Sequence, residues 1–272
     1  AHVGKQPPCS DMIIAAGIPR VVVGVRDTNP IVAGKGIDRL IKAGIDVQVG
    51  CLEKECREIN IRFFTFHEKK RPYIILKWAE TADGYIDKIR SSHEKPAWIT
   101  DEMARTWVHK WRAEEDAVMV GTNTALMDNP VLNVRNWHGN NPVRMVLDRT
   151  LRLPSTLALF DGTRLTLVFT EKEMEGKNNL EYIKVPFGDH LPASVVRVCY
   201  EKRIQSLIVE GGARLIGSFI AAGLWDEARV FTGEVRFGSG VKAPVLPVSD
   251  KVAEESFSNS ILRVFRKIPG NA

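Results

Sequence analysis

The sequence lacks a long hydrophobic run. Its apolar stretches, such as those within residues 20–25 and 206–209, are far shorter than the roughly 20 residues that a membrane-spanning helix needs. It also lacks an initiator methionine and a basic segment followed by an apolar one, so its start does not resemble a secretory signal. We therefore expect a cytoplasmic protein with no membrane partner, and we interpret the chain as a piece of a longer one.

Cysteine is scarce. Its four copies, Cys9, Cys51, Cys56 and Cys199, are too few and too scattered for a disulfide framework, and their spacings match no four-cysteine zinc site. This usage fits a reducing compartment. We interpret Cys51 and Cys56 as ordinary thiols rather than as a metal-binding pair.

A clustered basic tail is absent as well. The net charge of +5 suits an anionic partner, but the lysines and arginines are spread along the chain, and no basic run is interleaved with aromatic residues. We therefore expect a phosphorylated small molecule as the partner and no nucleic acid.

The first part of the chain alternates between helical and extended patterns. The periodicity predicts helices at 11–17, 35–43 and 53–66, and strands at 20–25 and 46–50. This order is that of the back half of a three-layer α/β sandwich, without the strand and helix that would come first. A charged segment that contains a proline, 69–72, marks a boundary. We predict two domains, 1–70 and 71–272.

The second part starts a new α/β series. Strands are predicted at 73–79, 117–120, 142–147, 164–169, 206–209, 228–232 and 262–267. A helix is predicted to begin after Thr100 as its N-cap and to run to about Glu114. A second helix, 213–222, is expected to end at Gly223 in the left-handed conformation. With its last strands antiparallel, this part is expected to form a sheet of mixed strand directions.

A strand that ends in Glu210-Gly211-Gly212 and enters a helix is one candidate for a binding site. Such a joint directs backbone N–H groups and the positive end of the helix dipole to the strand's carboxyl end, which suits a phosphate or pyrophosphate. Glu210 can accept hydrogen bonds from sugar hydroxyls. The alternatives are a sharp turn that merely needs glycine and a solvated glutamate.

The segment 121–135 is a second candidate. It follows a predicted strand and contains hydroxyl, amide, carboxylate and guanidinium groups within fifteen residues, a combination that can bind a polar phosphorylated ligand. From its chemistry alone, a polar loop with Asp128 capping a turn explains it equally well.

Five segments taken together resemble one family in order and spacing. Residues 76–84, 98–100, 112–113, 121–135 and 209–212 are similar to the reductase domain of the bifunctional riboflavin-biosynthesis deaminases/reductases. Upstream, residues 4–11 and 27–36 resemble the deaminase domain of the same family. The resemblance implies an α/β fold in which a truncated, cytidine-deaminase-like three-layer domain precedes a dihydrofolate-reductase-like domain. It also implies NADPH as cofactor and hydride delivery to C1′ of the ribose in 5-amino-6-(5-phosphoribosylamino)uracil.

The resemblance further implies roles for individual residues. Lys77 and Asp128 would lie near the reacting carbon and handle the proton of the ring oxygen. Arg112, Leu132, Arg135 and Glu210 would contact the substrate, the two arginines at its 5′-phosphate. Cofactor contacts are implied for Ala79, Trp98, Thr124, Asp128, Gly212, Ala213, Arg214 and Leu215. We expect Lys77, Asp128, Arg135 and Glu210 to converge in one crevice. Family members are typically dimers or tetramers, so we also expect self-association.

Two departures from the family pattern affect these expectations. The family often has a substrate-contacting serine just before the tryptophan, where this chain has Pro96-Ala97. Cys9 is the one residue of this chain that matches a zinc ligand of the family's deaminase domain. His2 matches a position in the family's connecting loop, so we do not expect it to be a ligand. Since a catalytic zinc takes three protein ligands, we expect no zinc in this chain.

Two alternative functions stay open at this point. Another dihydrofolate-reductase-like pyridine-nucleotide reductase would share the second domain but would leave the deaminase-like segments unexplained. A non-catalytic nucleotide- or RNA-binding module would fit the basic charge, and its affinity would fall steeply with salt.

Overall fold

A computed structural model describes residues 8–29, 34–91, 94 and 96–268. His2 and parts of the deaminase-like segments, 4–7 and 30–33, lie outside the described residues. The chain divides into two compact units, Ala1–Arg71 and Pro72–Ala272. Within the described part, no helix combines the length and apolar character needed to span a membrane.

In its described residues, the first unit contains a two-stranded parallel sheet and four helices. Its elements are α1 (Cys9–Ala15), β1 (Arg20–Val23), α2 (Lys35–Lys42), β2 (Asp46–Val49), α3 (Glu53–Ile59) and α4 (Ile61–Lys69). The single helix predicted over 53–66 is wrong, because the chain leaves helical geometry at Asn60, between α3 and α4. The side-chain amide of Asn60 donates to the carbonyl of Cys56 at 3.0 Å. Such a side-chain bond to the backbone is typical of asparagine at helix ends.

In its described residues, the second unit contains a nine-stranded sheet, a two-stranded sheet and four α-helices. Its elements are β3 (Tyr73–Glu80), β4 (Tyr85–Asp87), α5 (Glu102–Glu114), β5 (Ala117–Val120), α6 (Thr122–Asp128), β6 (Val143–Leu147), a 3₁₀ turn (Ala158–Phe160), β7 (Thr166–Thr170), β8 (Leu180–Lys184), α7 (Leu191–Glu201), β9 (Ser206–Val209), α8 (Ala213–Ala221), β10 (Glu227–Gly233), β11 (Val241–Lys242), β12 (Ser249–Ser256) and β13 (Ser260–Lys267).

Nine of these strands form the sheet, in the order β12-β13-β10-β3-β9-β5-β6-β7-β8. The seven strands from β10 to β8 run parallel, whereas β13 is antiparallel to both β10 and β12. The mixed strand directions and the antiparallel end of the sheet confirm the expectation from sequence.

Both faces of the central strands are covered, which is why they consist of continuous apolar runs. On one face, Ile74, Leu76 and Trp78 belong to the main core together with α7 and α8. On the other face, Trp111 of α5 packs against Phe231 of β10. The sheet is therefore a middle layer, and α5 presents its inner face to β3 and β10.

One local prediction for this unit is wrong. The N-cap of α5 is Asp101 rather than Thr100: the Asp101 carboxylate accepts a hydrogen bond from Ala104 N at 2.7 Å. The segment 121–135 is not a continuous loop, because its first half forms α6, which ends where Asn129 takes the left-handed conformation. The left-handed Gly223 after α8 is confirmed, with φ of 64°.

Candidate active site at the carboxyl edge of the sheet

The candidate site lies where the strand order of the sheet reverses. From β3 the chain moves outward through β5, β6, β7 and β8, returns to insert β9 between β3 and β5, and continues to β10 on the other side of β3. Ligands of open α/β sheets bind at the carboxyl ends of strands at such a switch point. Leu76 pairs with Val209 across β3 and β9, so Lys77 lies level with Glu210 at this edge.

A buried charge cluster occupies this point. Arg112 Nε donates to Glu210 Oε1 at 2.8 Å, and Arg112 Nη2 donates to Glu210 Oε2 at 2.6 Å, which is a forked pair. The side chains are 12% and 6% exposed, respectively. The ammonium of Lys77 interacts electrostatically with both of them. One carboxylate therefore faces two cations.

The cluster perturbs its own protonation equilibria. Burial lowers the pKa of Lys77, the Glu210 carboxylate raises it in part, and Arg112 lowers it further. Burial alone would raise the pKa of Glu210, but attraction to Arg112 and Lys77 outweighs it and lowers that pKa. The result is a firmly ionised carboxylate beside an ammonium that releases its proton more easily than a solvated lysine.

His109, one turn before Arg112 on α5, extends the cluster towards the second half of segment 121–135. Its Nδ1 donates to the carbonyl of Asn133 at 2.9 Å, and Arg112 Nη1 approaches the same oxygen at 3.4 Å. Burial and the neighbouring Arg112 and Arg135 lower the pKa of His109, so the ring is neutral. Two side chains of α5 thus fix the backbone between Leu132, which is buried with φ of 50°, and the exposed Arg135.

The turn before α8 approaches its neighbours closely. A Cβ placed on Gly211 would lie 3.1 Å from Thr124 Oγ1 and 3.1 Å from Val120 Cα, and Gly212 has φ of 72°. Gly212 is favoured here by its conformation, and a side chain at Gly211 would force its neighbours to shift by a few tenths of an ångström. This turn brings the first residues of α8, among them the exposed Arg214, next to Thr124 of α6. Its backbone can follow a diphosphate at close range.

Asp128 belongs to a second charge cluster. Its Oδ1 accepts a short hydrogen bond from Arg90 Nη2, and Arg90 Nε bonds to both oxygens of Asp87 at 3.1 and 3.0 Å. Partial burial raises the pKa of Asp128, Arg90 lowers it, and Asp87 raises it further. The Asp128 side chain is 31% exposed, so it stays accessible from solvent.

The remaining sequence-predicted positions are spread along the same edge. Ala79, half-buried, is two residues beyond Lys77 on β3 and shares its face. Trp98, which precedes α5, is 65% exposed and lies under the guanidinium of Arg105 at 4.5 Å from the ring centre. An exposed indole that is held in place offers a flat apolar surface to a ligand ring.

The structure thus brings together part of the predicted set. Lys77, Glu210 and Arg112 form one cluster, to which Arg135 is joined through His109. Asp128 lies instead with Arg90 and Asp87, and no contact between the two clusters is found among the described residues.

Sequence reasoning missed His109, Arg90 and Asp87. His109 bonds to a residue 24 positions away, and Arg90 bonds to one 38 positions away. The only local signal was the i,i+3 spacing of His109 and Arg112, which places them on one helix face. At the other end of the chain, Cys9 is exposed at the start of α1. Within the described residues, no group of three potential ligands could hold a metal ion.

A largely parallel sheet with a glycine turn before a helix and an ionised cluster at its switch point is typical of α/β enzymes. Residues 72–254 match the RibD C-terminal domain family. The riboflavin biosynthesis protein RibD of Aquifex aeolicus is 39% identical over 246 residues, which cover 88% of this chain and 68% of that protein.

Solved structures agree with this match. A diaminohydroxyphosphoribosylaminopyrimidine deaminase/5-amino-6-(5-phosphoribosylamino)uracil reductase from Thermotoga maritima superposes with a TM-score of 0.87 at 36% identity, covering 98% of this chain and 76% of that one. RibD of Acinetobacter baumannii superposes with a TM-score of 0.86 at 28% identity, and the match covers 98% of this chain and 78% of that one. The chain belongs to the RibD family, and its second unit has the fold of the family's reductase domain, as the sequence resemblance predicted.

Proposed function

We propose that this chain reduces the ribose of 5-amino-6-(5-phosphoribosylamino)uracil to the ribityl form with NADPH, a step of riboflavin biosynthesis. Its membership of the RibD family supports the reaction and a pyridine-nucleotide cofactor. The observation that carries the proposal is the cluster of Lys77, Arg112 and Glu210 at the switch point of the sheet. Perturbed, buried ionisable groups in such a position are typical of active sites.

Lys77 is the proposed proton donor. In the reaction the C1′–O4′ bond of the ribose breaks, O4′ takes a proton and C1′ takes a hydride, so one NADPH and one proton are consumed. The hydride is the contribution of the bound nicotinamide. Because burial lowers the pKa of Lys77, its ammonium is a stronger acid than that of a solvated lysine. Glu210 restrains this shift and keeps the proton available.

Asp128 is proposed to act as a carboxylate rather than as an acid. Positive charge develops at C1′ as its bond to O4′ breaks, and an ionised carboxylate nearby stabilises that charge. The hydrogen bond from Arg90 keeps Asp128 oriented and favours its ionised form. Lys77 and Asp128 thereby have different tasks, set by their different surroundings.

Arg135 is the proposed ligand of the substrate's 5′-phosphate. Its guanidinium is exposed, and the partner found for it in the described part of the chain is the neutral amide of Asn133, at 3.2 Å. Arg112, in contrast, already donates to both oxygens of Glu210. We therefore assign the phosphate to Arg135 and the orientation of Glu210 to Arg112, while Leu132 and Glu210 complete the substrate side.

The glycine turn fits a dinucleotide, because a Cβ at Gly211 or Gly212 would fill the space beside Thr124. We propose that the diphosphate lies against Gly212 and the first turn of α8, Ala213, Arg214 and Leu215. The nicotinamide would then meet Ala79, Thr124 and Trp98.

Arg152 supports NADPH over NADH. It follows β6 in a turn held by the buried Asp148, whose carboxylate accepts from Arg152 N at 3.0 Å. Its guanidinium bonds to the neutral Asn123, beside Thr124, at 3.1 Å. An arginine near the adenosine ribose accommodates the 2′-phosphate of NADP.

The test is the consumption of NADPH, followed by absorbance, with the phosphoribosylaminouracil and with dihydrofolate in parallel. We expect oxidation with the first compound and none with the second. Turnover of dihydrofolate alone would favour the alternative reductase. A binding module would show no turnover, and its affinity would be unchanged by Lys77→Ala and Asp128→Ala.

For the first unit we propose part of a deaminase-like domain, residues 1–70, that binds no zinc in this chain. Elemental analysis of the purified 272-residue protein would refute this if zinc were found in a 1:1 ratio. Self-association into dimers or tetramers is proposed as well, and light scattering at several protein concentrations measures it.

A further inference from the structure

Arg90 is almost completely buried and is bonded on three sides. Its side chain is 4% exposed. Nε donates to both oxygens of Asp87 and Nη2 donates to Asp128, while Nη1 donates to the carbonyls of Glu94 at 3.0 Å and Met127 at 3.3 Å. The guanidinium therefore joins the segment after β4 to the last turn of α6, and it fixes the backbone and the side chain of Asp128 at the same time.

The surroundings of Asp128 oppose its ionisation, with one exception. Asp128 is the last residue of α6, where the helix dipole favours cations over anions. Partial burial and the neighbouring Asp87 also favour the protonated form. The charged groups that face Asp128 in the described structure are Arg90 and Asp87, so Arg90 is the one described cation that favours the carboxylate.

We propose that Arg90 is a positioning residue for the reduction, which holds Asp128 ionised and oriented towards the reacting carbon. This inference rests on the proposed function of Asp128. Arg90 itself is not assigned a contact with substrate or cofactor, because its N–H groups are committed to the protein, apart from one hydrogen on Nη2. The three nitrogens of the guanidinium bond to different groups at once, which explains why arginine is used rather than lysine, since lysine offers no planar set of donors.

The test compares Arg90→Met, Arg90→Lys and the wild type in the full chain. The first measurement is the carboxyl ¹³C chemical shift of Asp128 against pH, assigned with Asp128→Asn. We expect Arg90→Met to raise the pKa of Asp128 by about one unit or more. Arg90→Lys keeps the charge but loses the planar set of donors, and we expect it to raise this pKa less. An unchanged titration of Asp128 in Arg90→Met would overturn the proposal.

The second measurement is the pH dependence of kcat and KM. We expect Arg90→Met to lower kcat by roughly 10- to 100-fold with little change in KM for the pyrimidine, because misorientation affects the chemical step. The acid limb of the kcat profile should move to higher pH. Arg90→Met should cause no further loss in an Asp128→Asn background, since both changes remove one function. Multiplying losses would mean a general structural effect and would overturn the proposal.

The controls separate this inference from the proposed function. Arg197→Met removes an exposed pair with Glu201 on α7 and should leave titration and kinetics unchanged. If Arg90→Met fails to fold, Arg90→Lys carries the test. A pKa of Asp128 above the wild-type value together with a lowered kcat would support the proposal. A wild-type titration of Asp128 with full activity would contradict it. The carboxyl titration does not require turnover. A wild type that is inactive with the pyrimidine would therefore refute the proposed function, whereas the titration still tests the control of Asp128 by Arg90.

Discussion

Two arginine–carboxylate pairs lie at opposite ends of the large sheet; in the first, Arg144 is fully buried whereas its partner Asp161 is exposed to solvent. Near the amino end of β6, Arg144 donates to the hydroxyl of Thr166 at 2.9 Å, to the carbonyls of residues 158 and 164 at 3.1 Å each, and to Asp161 at 2.7 Å. At the carboxyl edge, Arg112 donates two hydrogen bonds to Glu210, and Lys77 lies beside this pair.

The difference lies in the charge balance. The Arg144 pair is neutral, its donors are satisfied, and the bond from Arg144 lowers the pKa of Asp161 to about 2. Lys77 adds a second cation to the Arg112 pair, and both cations face the one carboxylate of Glu210. Burying an excess charge costs stability and is tolerated where function needs a perturbed group. One end of the sheet is thus built for stability and the other for chemistry.

The largest expected effect tests this contrast at Lys77. Lys77→Met should lower kcat by roughly 1,000-fold, as expected for the loss of a general acid, and should raise the free energy of unfolding by about 1 kcal/mol. Because burial lowers the pKa of Lys77, the cost of its charge is fully present below that pKa and disappears as the pH rises towards 10.5. The gain in stability should therefore be largest at neutral pH and shrink as the pH approaches 10.

Stopped-flow kinetics and urea unfolding at several pH values measure the two effects on Lys77→Met. Lys184→Met, which removes an exposed pair with Glu173, is the matched control. A variant that loses both activity and stability at neutral pH would show that Lys77 supports the fold.

Arg144→Met should have the opposite profile. It removes the cation beside the exposed Asp161 and the arginine donor to the carbonyl of residue 158, so we expect a loss of about 1–3 kcal/mol in unfolding free energy. The kcat of the folded protein should stay within about twofold of wild type, because Arg144 lies at the far end of the sheet. Urea unfolding, followed by an assay at a temperature where the variant is folded, checks both values. A kcat loss of the size expected for Lys77→Met would remove the distinction between the two ends.

Glu210→Gln sharpens the comparison through pH. Glu210 raises the pKa of Lys77, so its removal should move the alkaline limb of the kcat profile to lower pH, by about one unit. The pKa of Glu210 is itself lowered in the folded state, so its stabilising contribution is present above the unfolded value and is lost as the pH falls through the folded value. The variant should accordingly lose less stability on acidification than the wild type. An unmoved alkaline limb would contradict the assignment of Lys77 as the acid.

The same two ends show what the sequence could predict. The apolar runs of β3, β5 and β9 and the glycines after β9 are local patterns, and from them the positions of these strands and of the glycine turn were predicted. The partner of Glu210 could not be predicted from spacing alone, because Arg112 is 98 residues away and several other arginines were available. The resemblance assigned both residues to the substrate but not to each other.

Residues with equal local preferences were decided by distant contacts. Thr100 and Asp101 are both good N-caps, and Asp101 takes the position because its carboxylate also bonds to Ser258. Helix α6, in the first half of segment 121–135, begins with threonine and asparagine, which are weak helix formers. It becomes helical because Ala125 is buried and Thr122 donates to the carbonyl of Leu147 at 2.5 Å. Tertiary packing outweighs propensity in both cases.

The smallest expected effect compares Gly211, in the turn before α8, with Gly217, inside α8. Gly211→Ala places a Cβ 3.1 Å from Thr124 Oγ1 and Val120 Cα, so the turn must widen slightly. We expect a loss of about 1 kcal/mol in stability and a roughly fivefold higher KM for NADPH with kcat nearly unchanged, since the change affects binding and not the acid.

Gly217→Ala is the matched change within α8, where a Cβ would have no neighbour within 4 Å. It should stabilise the protein by up to about 1 kcal/mol, because alanine is the better helix former, and it should leave KM unchanged. Thermal unfolding and initial rates at varied NADPH measure both variants. If Gly211→Ala bound NADPH as well as Gly217→Ala does, the turn before α8 would not be the diphosphate site, and the chemistry assigned to the carboxyl edge would need a different cofactor position.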